Sequence, residues 1–170
     1  MKKIIVIGCP GSGKSTFSKK LHQIIGAPLF HLDMMYWNPD RTTVDKTIFH
    51  NRLIEAMAQP EWIIDGNYGA TMELRLQNCD TVFFLDYPVK VCLDGIRSRK
   101  GMPRSDMPWF EGEHEQSDEE FIAFIRNYNQ DNRPKVVDLL EKYAHKEIFV
   151  LRGRLDAERF LQALKQKTDG

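Results

Sequence analysis

The chain has 170 residues, 42% of them apolar and 28% charged, with 24 basic residues balanced by 24 acidic ones. That length suits one domain with a core large enough to need no staples, and a net charge of zero argues against a basic module that reads a nucleic-acid backbone. Three cysteines, Cys9, Cys79 and Cys92, are odd in number and lack C-x-x-C spacing, which leaves no support for a disulfide framework or a zinc site and favours a reducing compartment.

In chain order, Met1-Lys2-Lys3 leads into the apolar run Ile4 to Ile7, too short for a signal peptide and read as a buried strand. No stretch approaches membrane-spanning length, so a cytoplasmic location without membrane contact is expected. Gly8-Cys9-Pro10-Gly11-Ser12-Gly13-Lys14-Ser15 follows and matches G-x-x-x-x-G-K-[ST]. Glycines there allow successive backbone N–H groups to turn inward around a polyphosphate, with the positive end of the next helix aimed at it. Lys14 would reach the β- and γ-phosphates, and Ser15 would complete the shell of a Mg²⁺ ion. Nucleotide binding is the starting point.

Helix candidates run from Lys14 to Ile25, Thr43 to Met57, Val89 to Arg99, Asp118 to Tyr128, Pro134 to Tyr143 and Asp156 to Lys167. Between them lie strand candidates Leu29 to Leu32, Trp62 to Ile64, Thr81 to Leu85 and Glu147 to Leu151. Strands alternating with helices predict an α/β domain, a parallel sheet covered on both faces. No internal repeat, low-complexity tract or Pro/Gly/Ser linker divides the chain.

Ligands of such sheets bind beyond the carboxyl ends of the strands. Three strands are expected to end at an aspartate. Asp65, closing Trp62-Ile63-Ile64-Asp65-Gly66-Asn67-Tyr68, suits a carboxylate that holds a Mg²⁺-bound water, or else a turn-forming Asp before Gly. Asp86 precedes Tyr87-Pro88, where helix initiation is the simpler role. Asp33 precedes Met34-Met35-Tyr36-Trp37, a run of large side chains that suits an acceptor pocket or plain packing.

A basic segment, Arg97, Arg99, Lys100 and Arg104 around Gly101-Met102-Pro103, offers planar guanidinium forks for a transferring phosphoryl group; a solvated surface is the alternative. The acidic stretch from Glu111 to Glu120 beside it would repel a nucleic-acid backbone, so no direct nucleic-acid binding is expected. Arg126 and Arg133 flank Tyr128.

The order GCPGSGKST, WIIDGNYG, FFLDYP, a helix ending in Arg99, an Arg-rich segment and a last strand followed by Arg152-Gly153-Arg154 resembles the adenylate-kinase group of P-loop kinases. Within it, HLDMMYW, DGNY, RKGMPRSDM and Asn132-Arg133-Pro134-Lys135 are similar to bacterial DNA-topology-modulation (FlaR-like) proteins. The resemblance spans nearly the whole chain. It implies a three-layer P-loop NTPase fold of nucleoside/nucleotide kinase type, with a five-stranded parallel sheet in the order 2-3-1-4-5. It further implies one domain over residues 1–170, an acceptor-binding insertion at about 34–60 and a short lid at about 100–117.

By the same resemblance, ATP is held by Gly8, Pro10, Gly11, Ser12, Gly13, Lys14, Ser15 and Thr16, with Arg99 on its phosphates and the loop at Gly153 and Arg154 beside the base. Lys14, Arg99 and Arg104 stabilise the phosphoryl group, Ser15 and Asp65 hold Mg²⁺, and Asp33 serves as base if the acceptor is an alcohol. Acceptor contacts fall to Asp33, Trp37, Asp65, Asn67, Tyr68 and Arg126. Two departures stand out. Asn67-Tyr68 replaces the end of the D-G-F-P-R motif, arginine included, and Gly95 replaces an arginine four residues before Arg99. The implied activity is ATP-dependent phosphoryl transfer to a small nucleotide or nucleoside. The alternatives are a hydroxyl kinase of shikimate or gluconate type and a regulatory ATP-binding protein that acts on DNA topology through partners. The sequence leaves the oligomeric state open.

Overall fold

A computed structural model describes residues 1–102, 105–108, 116–168 and 170. Among them, five parallel strands form one sheet in the order β2-β3-β1-β4-β5. These are β1 (Lys3–Gly8), β2 (Leu29–His31), β3 (Trp62–Asp65), β4 (Thr81–Leu85) and β5 (Glu147–Leu151). The helices are α1 (Lys14–Ile25), α2 (Leu32–Tyr36), α3 (Lys46–Met57), α4 (Gly69–Asn78), α5 (Val89–Arg99), α6 (Gln116–Asp131), α7 (Arg133–Lys142) and α8 (Arg154–Thr168). The predicted sheet order is therefore the observed one. No helix among the described residues is long and apolar enough to cross a membrane.

The central strand explains the layers. Successive side chains of a strand point to opposite faces, so a run that is apolar at every position must be covered on both sides. On one face Ile4 and Val6 join Phe17, Leu21, Phe83, Ile125 and Leu161; on the other Ile5 and Ile7 join Leu53, Trp62, Leu76, Phe84 and Leu140. Helices α1, α6 and α8 cover the first face, and α3, α4 and α7 the second. β1 pairs with β3 on one side and β4 on the other, so the chain reverses direction across the sheet at β1. The crevice opened by that reversal lies at the end of β1, where the glycine loop begins.

Two expectations need correction. β2 stops at His31, and Leu32 turns into the short helix α2, so Asp33 lies within a helix rather than at the tip of a strand. The reason is tertiary: Leu32 is fully buried among Ile7, Ile64 and Phe49, and the helical turn directs it there. α4 was not anticipated. Glu73, Arg75 and Gln77 interrupt its apolar pattern, yet Thr71, Met72, Arg75 and Leu76 are its buried residues.

Candidate functional site

Between β1 and α1 the chain wraps into a narrow loop. Gly13 takes φ +91° at the head of α1, and no side chain caps that helix. The first-turn N–H groups thus keep their capacity for an anion, and the helix dipole reinforces it. The loop is pressed against α5: a methyl on Gly11 would come within 2.0 Å of the Cys92 carbonyl oxygen, and one on Gly95 within 2.1 Å of the Gly11 carbonyl oxygen. This explains why position 95 is a glycine. No side chain fits there while α5 supports the loop. Ser12 Oγ is buried without a hydrogen-bond partner among the described residues, a hydroxyl left over inside the loop.

The Lys14 ammonium folds back over this loop, donating to the Gly8 carbonyl at 2.8 Å and the Cys9 carbonyl at 3.3 Å. Loss of water pulls its pKa below the ordinary lysine value, and the charges of Asp65 and Asp33 oppose that pull. Arg99, half-buried at the end of α5, adds its positive charge and lowers the Lys14 pKa further. A lysine, an arginine and two carboxylates from four different elements therefore share one electrostatic environment.

Asp65 is 4% exposed, and both its oxygens lie 2.9 Å from Nδ1 of His31. The two residues are register partners on β3 and β2. Past Asp65, the Asn67 amide brackets Gly8, accepting from its N–H at 3.1 Å and donating to its carbonyl at 2.7 Å. Tyr68, at φ 37°, holds a backbone conformation uncommon for a non-glycine residue. Its hydroxyl donates to Asp33 at 2.5 Å, and burial, then the Asp33 charge, pushes the phenol well above its ordinary pKa. Fully buried Arg75 of α4 secures the whole turn, donating to the carbonyls of Gly66 at 2.9 Å, Asn67, and Tyr68 at 3.3 Å. Burial lowers this guanidinium's pKa to about 10.

Trp37 follows α2 and bridges to Thr43. Its ring meets Tyr36 edge-on at 5.2 Å, and Tyr36 packs with Phe49 and Tyr68 at centroid distances of 5.2 and 5.0 Å. Trp37 is thus the half-buried outer member of an aromatic cluster whose inner member, Tyr68, holds Asp33. A separate depression of about 420 Å³ between α2 and α3, lined by Phe30, Met35, Arg52 and Glu55 among others, contains none of the predicted site residues.

The other expected residues divide. The Arg154 guanidinium reaches the loop: its Nη1 lies 3.5 Å from where a Gly13 methyl would be, and its Nη2 2.9 Å from a Gly95 methyl. Gly153 precedes it at the start of α8; Pro10 is half-buried in the loop and Thr16 exposed on α1. Arg126 is exposed on α6, and Arg97 pairs on the surface with Asp94 at 3.6 Å. Arg104 and the first half of the acidic stretch, residues 111–115, lie outside the described residues. Asp86 does not cap α5: Arg133 forks onto it at 2.7 and 2.8 Å, and Arg152 joins from the end of β5. Ties of this kind fix the approach to the Gly153-Arg154 corner.

Sequence reasoning missed His31 and Arg75, and it noted Asp106 only beside Arg104 in a lid-like segment, without a role of its own. Only Arg75 left a trace, since it occupies the apolar stripe marked by Met72 and Leu76. Asp106 is 5% exposed and accepts from the Ser15 hydroxyl at 2.6 Å across 91 residues of sequence. As a donor set, Ser15 and Asp65 offer hard oxygens of the kind Mg²⁺ prefers, beside a glycine loop whose helix start no side chain caps; these residues fit Mg·ATP.

No family model matches the chain, and no curated protein matches it. Solved structures do. A shikimate kinase from Bacteroides thetaiotaomicron superposes with a TM-score of 0.55 at 18% identity, covering 98% of each chain. Deoxyadenosine kinase from M. mycoides with bound dATP gives 0.52 at 19%, covering 98% of this chain and 99% of its own. Shikimate kinase from Acinetobacter baumannii in complex with shikimate gives 0.56 at 18%, covering 98% and 92%. At such identities the likeness establishes architecture: this chain has the P-loop kinase fold, with its five-stranded parallel sheet in the order 2-3-1-4-5.

Proposed function

We propose that this protein is an ATP-dependent kinase that moves the γ-phosphate of ATP to a small acceptor, a nucleotide or nucleoside. One observation carries the reading: the Lys14 ammonium, on a glycine loop at the head of α1, feels the charges of Asp33, Asp65 and Arg99 together. Phosphoryl transfer requires little covalent chemistry from the protein and much positioning of charge, which is what this convergence supplies. Structural neighbours named as kinases of deoxyadenosine and of shikimate support the same class.

In this reading the loop from Gly8 to Thr16 and the first turn of α1 bind the polyphosphate, while Lys14 swings from the Gly8 carbonyl to phosphate oxygens. Arg99 neutralises charge on the moving group, joined by Arg104 from the lid, and the Gly153-Arg154 corner borders the base. Ser15 and Asp65 would hold Mg²⁺, which supplies charge neutralisation at the phosphates when bound. The acceptor lies against Asp33, Trp37, Asn67 and Tyr68, and a cytoplasmic location suits ATP as donor.

An acceptor hydroxyl is favoured over an acceptor phosphate by the Tyr68–Asp33 pair. Donation from the tyrosine orients the Asp33 carboxylate, a group of the kind that accepts the proton of a substrate hydroxyl as general base. The missing arginine after Asn67-Tyr68 points the same way, since an acceptor phosphate needs a cation there. Nucleosides and shikimate-like polyols both satisfy this chemistry. A coupled assay of ADP release, run against nucleosides, nucleoside monophosphates and small polyols, tests it. Stimulation by a hydroxyl acceptor is expected. ATP binding without stimulation by any of them would instead favour a regulatory nucleotide-binding protein of the topology-modulation kind.

A further inference from the structure

We infer that Asp106 is a positioning residue of the site, orienting the Ser15 hydroxyl toward Mg²⁺. The inference rests on the proposed Mg·ATP site. The 105–108 segment is anchored on α1 at two places: the Ser15 hydroxyl donates to Asp106 Oδ2 at 2.6 Å, and Lys19 Nζ donates to Ser105 Oγ at 2.6 Å. Lys19 lies one helical turn from Ser15, so the two contacts form a seam along one face of α1. Asp106 is 5% exposed, an uncommon place for a carboxylate unless something charged or strongly donating meets it.

A serine hydroxyl has one proton and two lone pairs. To ligate a cation it must present a lone pair inward and send its proton elsewhere. A buried carboxylate on the proton's side fixes that orientation and makes the oxygen a better ligand, the part that outer-shell acceptors play for other ligand types. Since the 105–108 segment comes from a distant part of the chain, metal affinity becomes coupled to its docking on α1.

Binding of a fluorescent ATP analogue to the full chain, titrated with Mg²⁺ and repeated in EDTA, tests this without turnover. Asp106→Ala should raise the half-saturating Mg²⁺ concentration about tenfold or more, leaving the affinity measured in EDTA unchanged. Asp106→Asn, isosteric and still able to accept, should shift it by less than about threefold and guards against misfolding of the alanine variant. The inference is overturned if Asp106→Ala leaves the Mg²⁺ dependence unchanged, or weakens binding equally with and without metal, as a merely structural latch would. Tighter binding of metal-free analogue would also overturn it, because Asp106 would then be an anionic plug. A wild-type protein that binds analogue without any Mg²⁺ dependence would instead sink the underlying Mg·ATP reading, whatever the variants do.

Discussion

The side-chain amide of Asn67 forms a two-point clamp on the backbone of Gly8, accepting from the N–H at 3.1 Å and donating to the carbonyl at 2.7 Å. It occupies a position where the sequence departs from the adenylate-kinase pattern, and it ties the end of β3 to the entry of the glycine loop. Asn67→Ala removes the N–H acceptor, although Lys14 still serves the carbonyl. A half-buried donor left without a partner costs about 1–3 kcal/mol. Urea denaturation should show a loss of that order, with weaker ATP binding; unchanged stability would mean that water replaces the clamp.

Lys14→Ala should abolish turnover and preserve the fold. Its charge counts most as the phosphoryl group develops charge, a contribution on the order of 3 kcal/mol or more. Activity within a factor of two of wild type would remove Lys14 from the chemistry. A pH titration gives an independent check. Loss of water holds Lys14 below the ordinary value of 10.5, so rising pH should strip its proton, and weaken metal-free ATP binding, before an ordinary lysine would titrate.

Asp33, Tyr68 and Trp37 should separate acceptor classes. Asp33→Asn should lower turnover without altering ATP affinity. Tyr68→Phe, which removes the 2.5 Å hydrogen bond, should have a smaller effect in the same direction. Trp37→Ala should dominate only if a nucleobase stacks on the ring, worth about 1–3 kcal/mol. A large drop in melting temperature with an unchanged acceptor KM would assign Trp37 to packing with Tyr36 instead.

Gly95→Ala pits local against tertiary effects. In an isolated helix alanine is favoured over glycine by about 1 kcal/mol. Here the new methyl would lie 2.1 Å from the Gly11 carbonyl oxygen and 2.9 Å from Arg154 Nη2. Overpacking of that kind costs about 1–3 kcal/mol, and the displaced partner is the glycine loop itself. Calorimetry should show a lower melting temperature and ATP titration a weaker affinity; a more stable protein with normal affinity would show that α5 and the loop yield freely.

The glycine loop and the strands were legible because their causes are local. Spacing of Gly8, Gly13, Lys14 and Ser15 encodes a backbone shape, and the unbroken apolar run Ile4 to Ile7 can be buried only at the centre of a covered sheet. Even the helices α1, α5 and α8 could be placed within two residues from periodicity and punctuation. What depended on partners distant in sequence was silent. Nothing around Arg75 announces three backbone carbonyls, nothing in HLD says that His31 rather than Asp33 meets Asp65, and nothing in RSDM ties Asp106 to a serine 91 residues away. Those pairings arise where β3, α4 and the 105–108 segment converge on the loop. Their residues are polar, so a hydrophobic period hints at burial only for Arg75 and names a partner for none of them. Each is stable in its buried place only because the fold brings up the partner whose absence would make that burial costly.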